Sequence, residues 1–347
     1  MQNNYLSYSR VLKGKILNLL EKPLSSSRKD DRFIKSFTDR ADSKVNYTVD
    51  LCRDKGKEVI VKRLAYKNKN LKYEQIRNEA ALLSLMMELH DNNKESSAIV
   101  FPKLVKLEEK DHEIILEREY IRGKMLKDFS REKQVKILKI CLDSLSHLSA
   151  HVYAKNAFTK RTIPLQILSL PLYLALAILK EPKMSRNFLP LAFRYYFERL
   201  GNWKISTYIL AHRDLHPNNI LVYTKNGKER IAIIDSEIAV VCEPQTDLAI
   251  IARYYLKDLG FNNLYKLLSS QLRNNSEKKS FISNSIFYAI QCIAIENKSD
   301  KFYENSKNYC TALLHHLPEI NNIIRQKVPQ RAGFWPTIVD AKNFLKI

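Results

Sequence analysis

The chain has 347 residues, enough to bury a sizeable core as one large domain or as two lobes. At 45% hydrophobic and 27% charged it is globular in composition, which excludes disorder except at the ends, and five scattered cysteines (Cys52, Cys141, Cys242, Cys292, Cys310) without a C-x-x-C pair exclude a zinc-site spacing and fit the reduced thiols of a cytoplasmic protein. The formal net charge of +21 favours anionic partners such as membrane lipid, nucleic acid or phosphorylated sugar, and a solvated lysine-rich surface accounts for it equally well.

Residues 1–30 read as an N-terminal arm. Tyr5, Leu6, Leu12, Ile16, Leu19 and Leu20 set an apolar stripe on a short basic helix, and Arg10, Lys13 and Lys15 deny it the apolar core of a secretory signal. Strand patterns follow over 33–37, 45–52 and 58–65, with a turn at 53–57. A helix is predicted over 72–89, with Ile76, Ala80, Leu83 and Met87 on one face. After a polar loop at 92–97 come strands over 103–107 and 113–121. These elements make a small antiparallel sheet carrying one helix.

Beyond Gly123 the pattern is mainly helical, over 131–152, 187–200 and 203–210. A hairpin interrupts it at 219–222 and 230–235, turning at Asn226-Gly227. Helices follow over 246–259, 263–272, 278–296 and 301–325. The longest apolar run, 163–179, is short for a membrane span and holds Pro164 and Pro171, which are expected to interrupt it. The fold class is therefore α+β with two lobes: a sheet-bearing lobe over 31–121, a connector at 120–124 and a larger helical lobe over 122–347.

Two strings carry the chemistry. One is Ala211-His212-Arg213-Asp214-Leu215-His216-Pro217-Asn218-Asn219-Ile220-Leu221, and the other is Ile233-Ile234-Asp235-Ser236-Glu237. They supply an Asp, an Asn five residues on and a second Asp at the end of an apolar strand. Phosphoryl transfer from a nucleotide needs that set: one carboxylate orients the attacking hydroxyl, and an amide with another carboxylate holds magnesium on the phosphates. The plainer readings are a loop Asp that caps a helix and an Asp that ends a strand.

Over about residues 32–260 the order of motifs resembles the protein-kinase-like fold, and in detail the aminoglycoside phosphotransferase and choline kinase branch, whose members phosphorylate small molecules. The resemblance implies ATP and Mg²⁺ as cofactors. It assigns the catalytic base or orienter to Asp214 and the metal ligands to Asn219 and Asp235. His212 supports the loop; His216 is left open between packing that loop and a catalytic part. Lys62 grips the α- and β-phosphates, although a lysine among strand residues ordinarily faces solvent. Glu79, with Glu74 as the second candidate, holds that lysine. The Glu119 carbonyl and the Ile121 N–H bond adenine, and Asp247, at a helix start, bonds the catalytic-loop backbone.

The chain also departs from the pattern. Between Gly14 and Gly56 there is no glycine, so the glycine-rich phosphate loop is missing and its turn candidate is 38–43. Asp235-Ser236-Glu237 stands where a protein kinase has Asp-Phe-Gly, and Glu237 either adds a metal contact or faces solvent. No Ala-Pro-Glu string follows. The expected function is ATP-dependent phosphorylation of a hydroxyl on a sugar, an amino alcohol or a glycolipid head group. A catalytically silent nucleotide-binding scaffold at an anionic surface is the alternative. Such a positive chain suits an anionic or lipid-linked acceptor better than a polycationic one, and it allows peripheral contact at the inner face of the membrane. Nucleic-acid binding rests on charge alone.

Overall fold

The structure is a computed structural model, which describes residues 32–37, 47–69, 71–92, 99–151, 163–200, 209–243, 245–260, 263–264, 267–268, 270–272, 274–299 and 302–325. The N-terminal arm and the 38–43 turn lie outside the described residues. The chain divides into two compact units, Met1–Lys160 with Tyr208–Cys242, and Arg161–Thr207 with Glu243–Ile347.

The first unit is built on an antiparallel sheet of β1 (Phe33–Ser36), β2 (Tyr47–Asp54), β3 (Lys57–Ala65), β5 (Leu104–Lys110) and β6 (Glu113–Glu119), in the order β1-β2-β3-β6-β5. Tight turns set its register. Lys55 and Gly56 join β2 to β3 and Asp111 and His112 join β5 to β6, all four with positive φ, which matches the twist of the flanking strands. Because strand side chains alternate between faces, the pairings Tyr47↔Leu64, Lys62↔Leu116 and Ile60↔Arg118 put Tyr47, Lys62 and Arg118 on one face.

Helix α1 (Leu71–Asn92) covers that face. Its Tyr73, Ile76 and Ala80 pack with Leu64, Tyr66, Ile114 and Leu116 of the sheet. A second side of α1, Leu82, Leu85 and Met86, packs against Ala239. Both contacts fix the rotation of α1, and with it the direction of Glu79.

A second sheet runs β4-β10-β9-β7, from β4 (Ile99–Val100), β7 (Lys124–Met125), β9 (Ile220–Lys225) and β10 (Lys228–Ile233). The β9–β10 turn is Asn226-Gly227, both with positive φ, as the sequence predicts. Gly123 precedes β7 where the chain passes β9 closely: a Cβ there would lie 2.9 Å from the Val222 carbonyl oxygen. β8 (Ile209–Ala211) pairs with β11 (Val240–Cys242), and α2 (Arg131–His151) also belongs to this unit.

The second unit is helical: α3 (Ile163–Lys180), α4 (Ser185–Leu200), α5 (Thr246–Leu259), α6 (Asn275–Ile295) and α7 (Tyr303–Arg325). Tyr173 and Tyr195 pack on Phe287 in its core. A buried polar network ties α3, α4 and α6 to Glu243. Arg199 donates to Glu243 Oε1 at 2.7 Å and to Gln166 Oε1 at 3.1 Å, and Ser280 and Asn284 each donate to Glu243 at 2.9 Å. A buried ion pair tolerates its desolvation only when such additional bonds accompany it.

Three expectations are corrected. Of the helix expected over 203–210, residues 203–208 lie outside the described residues and Ile209 and Leu210 belong to β8, where pairing with β11 overrides the local pattern. The prolines do not interrupt the 163–179 run, because α3 is continuous through Pro171. Its 18 residues make it long and apolar enough to cross a membrane, and a third of it is buried inside the protein. Strands β4, β7, β8 and β11, of two or three residues each, were too short to show periodicity. The 263–272 helix falls partly outside the described residues.

Candidate active site

Lys62 is where the site is held together. It is 2% exposed, and its Nζ donates to Glu79 Oε2 at 2.6 Å, Asp235 Oδ1 at 2.6 Å and Glu237 Oε1 at 2.7 Å. The ordinary solvent-facing orientation of a strand lysine is therefore excluded, and Glu79 rather than Glu74 is its partner from α1. Lys72 also bonds Glu237, and the Tyr47 hydroxyl donates to Glu237 Oε1 at 2.5 Å. Arg118 Nε lies 3.1 Å from Glu79 Oε1, close enough for an ion pair but without hydrogen-bond alignment. Three carboxylates thus face three cations, Lys62, Lys72 and Arg118.

The protonation of this cluster follows from burial opposed by charge. Burial would push Lys62 toward its neutral form, but Asp235, Glu79 and Glu237 outweigh it and hold the ammonium well above its ordinary range. Burial alone would raise Asp235; Lys62 reverses that and keeps it below the usual carboxylate range. Glu237 behaves like Asp235, with burial again overcome by Lys62. For Glu79 burial wins over Lys62 and Arg118, and its carboxyl is raised.

Two loops lie side by side in the same unit. The Asp214 string connects β8 to β9, and the Asp235 string connects β10 to β11. Ile233 pairs with Ile220, and the next residue, Ile234, donates its N–H to the Asn219 carbonyl at 2.9 Å. Further along, Ser236 Oγ lies 3.2 Å from His212 Nε2. The Asn219 amide nitrogen donates to the Asp214 backbone oxygen and to Asp214 Oδ2, both at 3.0 Å. With Nδ2 so engaged, Oδ1 is the atom of Asn219 left to act as a ligand.

His212 is buried and pairs the loops rather than facing a reactant. Its Nδ1 accepts the Asp214 N–H at 3.2 Å, so the ring proton is on Nε2. Burial lowers its pKa to about 4. His216 Nδ1 likewise accepts from the Asn218 N–H at 3.1 Å, while its Nε2 sits 3.7 Å from Asp214 Oδ2.

Arg213 and Asp235 both have left-handed backbones, with φ of 64° and 62°. Such conformations in residues other than glycine cost about 1–3 kcal/mol and persist where surrounding contacts over-determine them. Here the loop–loop bonds supply those contacts.

The hinge candidates lie at the end of β6. Glu119 exchanges bonds with Lys103, its N–H donating to the Lys103 carbonyl at 2.9 Å and its Oε2 accepting the Lys103 N–H at 3.2 Å. Ile121 is buried against Leu221 and Ala232. Asp247 belongs to the second unit, buried in the first turn of α5.

Lys72, Tyr47, Arg118 and Ser236 are site residues that sequence reasoning did not single out. Strand alternation could have found Tyr47 and Arg118, since both share a face with Lys62 once the register is known.

The donor set suits a hard divalent cation. Asp235 and the Asn219 amide offer oxygen, as Mg²⁺ requires. Carboxylate oxygens of Glu79, Asp235 and Glu237 also lie within 4.8 Å of one another, which admits Glu237 as a further ligand.

A sheet-and-helix N-terminal region followed by a mainly helical region, with these two loops, defines the protein-kinase-like fold. Solved structures share it. Spectinomycin phosphotransferase APH(9)-Ia, in complex with ADP and spectinomycin, aligns with a TM-score of 0.53 at 15% identity, over 83% of this chain and 92% of its own. Aminoglycoside 2'-phosphotransferase-IIIa in its GDP complex gives 0.55 at 14% identity, over 91% and 100%. An aminoglycoside phosphotransferase from Alicyclobacillus acidocaldarius subsp. acidocaldarius gives 0.53 at 13%, over 87% and 98%. The chain therefore has the fold of the aminoglycoside phosphotransferases. No family model and no curated protein sequence matches it.

Proposed function

We propose that the protein is an ATP- and Mg²⁺-dependent kinase that phosphorylates a hydroxyl of a small molecule. The observation that carries this reading is Lys62, a buried cation bound at once to Glu79 of α1 and Asp235 of the second loop. In this reading residues 31–121 form the nucleotide-binding lobe and 122–347 the helical lobe that holds the acceptor.

Asp214 accepts a hydrogen bond from the acceptor hydroxyl and takes its proton as the new oxygen–phosphorus bond forms and the bond from the γ-phosphorus to the ADP oxygen breaks. Asn219 fixes Asp214 through the bond to Oδ2. His212 stays neutral and holds the loop backbone at Asp214. Lys62 binds phosphate oxygens, with Glu79 setting its position. Asn219 Oδ1 and Asp235 would hold Mg²⁺, which when bound neutralises charge on the phosphates. The Glu119 carbonyl and Ile121 N–H bond adenine.

The fold's solved members include enzymes whose acceptors are aminoglycosides. For this chain the charge of +21 favours a neutral or anionic acceptor, such as a sugar or the head group of a glycolipid. The experiment is ³¹P NMR of the protein with Mg²⁺, ATP and a panel of sugars, amino alcohols and glycolipids. A phosphomonoester resonance that Asp214→Asn abolishes supports the reading. ATP bound without turnover across the panel supports a silent scaffold.

A further inference from the structure

Helices α3 and α4 turn an apolar face outward. From 163 to 179 α3 has no charged residue, and its solvent side carries Leu168, Leu172, Leu176 and Leu179, at 65%, 43%, 39% and 77% exposure. On α4 the exposed side chains are Leu189, Phe193 and Phe197, with Phe193 at 72%. These seven are half of the fourteen exposed large apolar side chains among the described residues. An outward helix face is ordinarily polar, and a contiguous apolar one marks an interaction surface.

The two stripes belong together. A short 3₁₀ turn, Pro182–Met184, joins the helices, and the Tyr196 hydroxyl donates to the Ile167 carbonyl at 3.3 Å, so they fold back as a hairpin. Leu168 and Phe197, Leu172 and Phe193, and Leu176 and Leu189 stand at matching distances along the chain from that turn. In an antiparallel hairpin that spacing sets them at three matching levels.

We propose that this face seats the protein on an anionic lipid bilayer as a peripheral, interfacial contact. Two observations select the occupant. At the turn the patch is rimmed by the exposed cations Lys183 and Arg186, while the nearby carboxylates are engaged: Glu181 by Lys298 and Tyr303, and Glu198 by Arg194. The whole chain carries +21, which complements an anionic surface and opposes pairing with a second copy. The opposite face of α3 excludes a span. Gln166 is bonded to Arg199 and Asn284, and Tyr173 packs on Phe287, so this face is committed to the protein core. An apolar face with a cationic border lies in the bilayer interface rather than crossing it. This inference is independent of the nucleotide-site reading.

The test is co-sedimentation of the full chain with vesicles of phosphatidylcholine, alone or mixed with phosphatidylglycerol, at low salt. Binding is expected to the mixed vesicles. The Leu172→Gln/Phe193→Gln variant, checked for an unchanged melting temperature, should bind about tenfold more weakly or worse, because two apolar anchors are lost. Lys183→Glu/Arg186→Glu should lose the preference for the anionic lipid. Phe193→Trp, a mild change on an exposed site, should show an emission blue shift when mixed vesicles are added. The proposal is overturned if the wild type ignores both vesicle types, or if the double Gln variant binds as the wild type does, which would place binding on the N-terminal arm or on diffuse charge. An unmoved Trp emission, or a lipid-free dimer that the double Gln variant dissolves, overturns it too.

Discussion

Lys62 Nζ and Asp235 Oδ1 lie 2.6 Å apart although 173 positions separate them in the chain. The bond joins a strand of the first sheet to the loop after β10. It makes the electrostatics of the site a property of two distant segments. Removing the ammonium leaves the buried Glu79 and Glu237, and the partly exposed Asp235, without their shared cation. Lys62→Met should therefore destabilise the protein by about 3–5 kcal/mol, the range for breaking a buried ion pair. Urea unfolding at neutral pH measures it.

Glu237 receives Tyr47, Lys62 and Lys72 at once, so its partners do not act independently. Tyr47→Phe and Glu237→Gln should be non-additive in a double-mutant cycle, with a coupling of about 0.5–3 kcal/mol. Additive losses would show that the Tyr47 contact carries no energy.

His212 makes stability depend on pH. Burial depresses its folded-state pKa to about 4, against about 6.5 when unfolded. Between these values the unfolded chain binds the proton and the folded chain does not. The contribution is thus fully present above pH 6.5 and is lost as pH falls toward 4, by roughly 3 kcal/mol in all. His212→Asn should flatten this part of the profile when unfolding free energies at pH 7 and pH 4.5 are compared.

Gly123→Ala should cost about 1–3 kcal/mol, because its Cβ would press on the Val222 carbonyl oxygen and overpacking of that kind forces backbone shifts. The melting temperature of the variant reads it directly. A melting curve equal to the wild type would mean that β7 and β9 can separate without loss.

Much of the fold was legible because the signals were local. The tight turn at Asn226-Gly227, the face of α1 defined by Ile76, Ala80 and Leu83, and the helix at 246–259 each follow from a few adjacent residues. Catalytic-loop spacing identified Asp214, Asn219 and Asp235 as candidates, and the structure brings Asn219 against Asp214 and against the residue before Asp235. What the sequence hid depends on tertiary pairing. β8 exists because Val240–Cys242 lies beside it. Lys72 and Arg118 enter the site because of where α1 and β6 settle, and neither position carries a local mark. The continuity of α3 through Pro171 was also hidden. Its packing on α6 offsets the hydrogen bond that the proline forfeits.

The claim on which the functional reading stands is that the Lys62–Glu79–Asp235 cluster is a nucleotide-phosphate site. Isothermal titration of Mg-ATP into the wild type, Lys62→Met and Asp214→Asn, with the folded state of each confirmed by melting, measures it. The account predicts binding by the wild type and by Asp214→Asn with similar affinity, and at least about tenfold weaker binding by Lys62→Met, the loss of one charge-assisted phosphate contact. Equal affinity in Lys62→Met and the wild type, or no binding by any of the three, would contradict it.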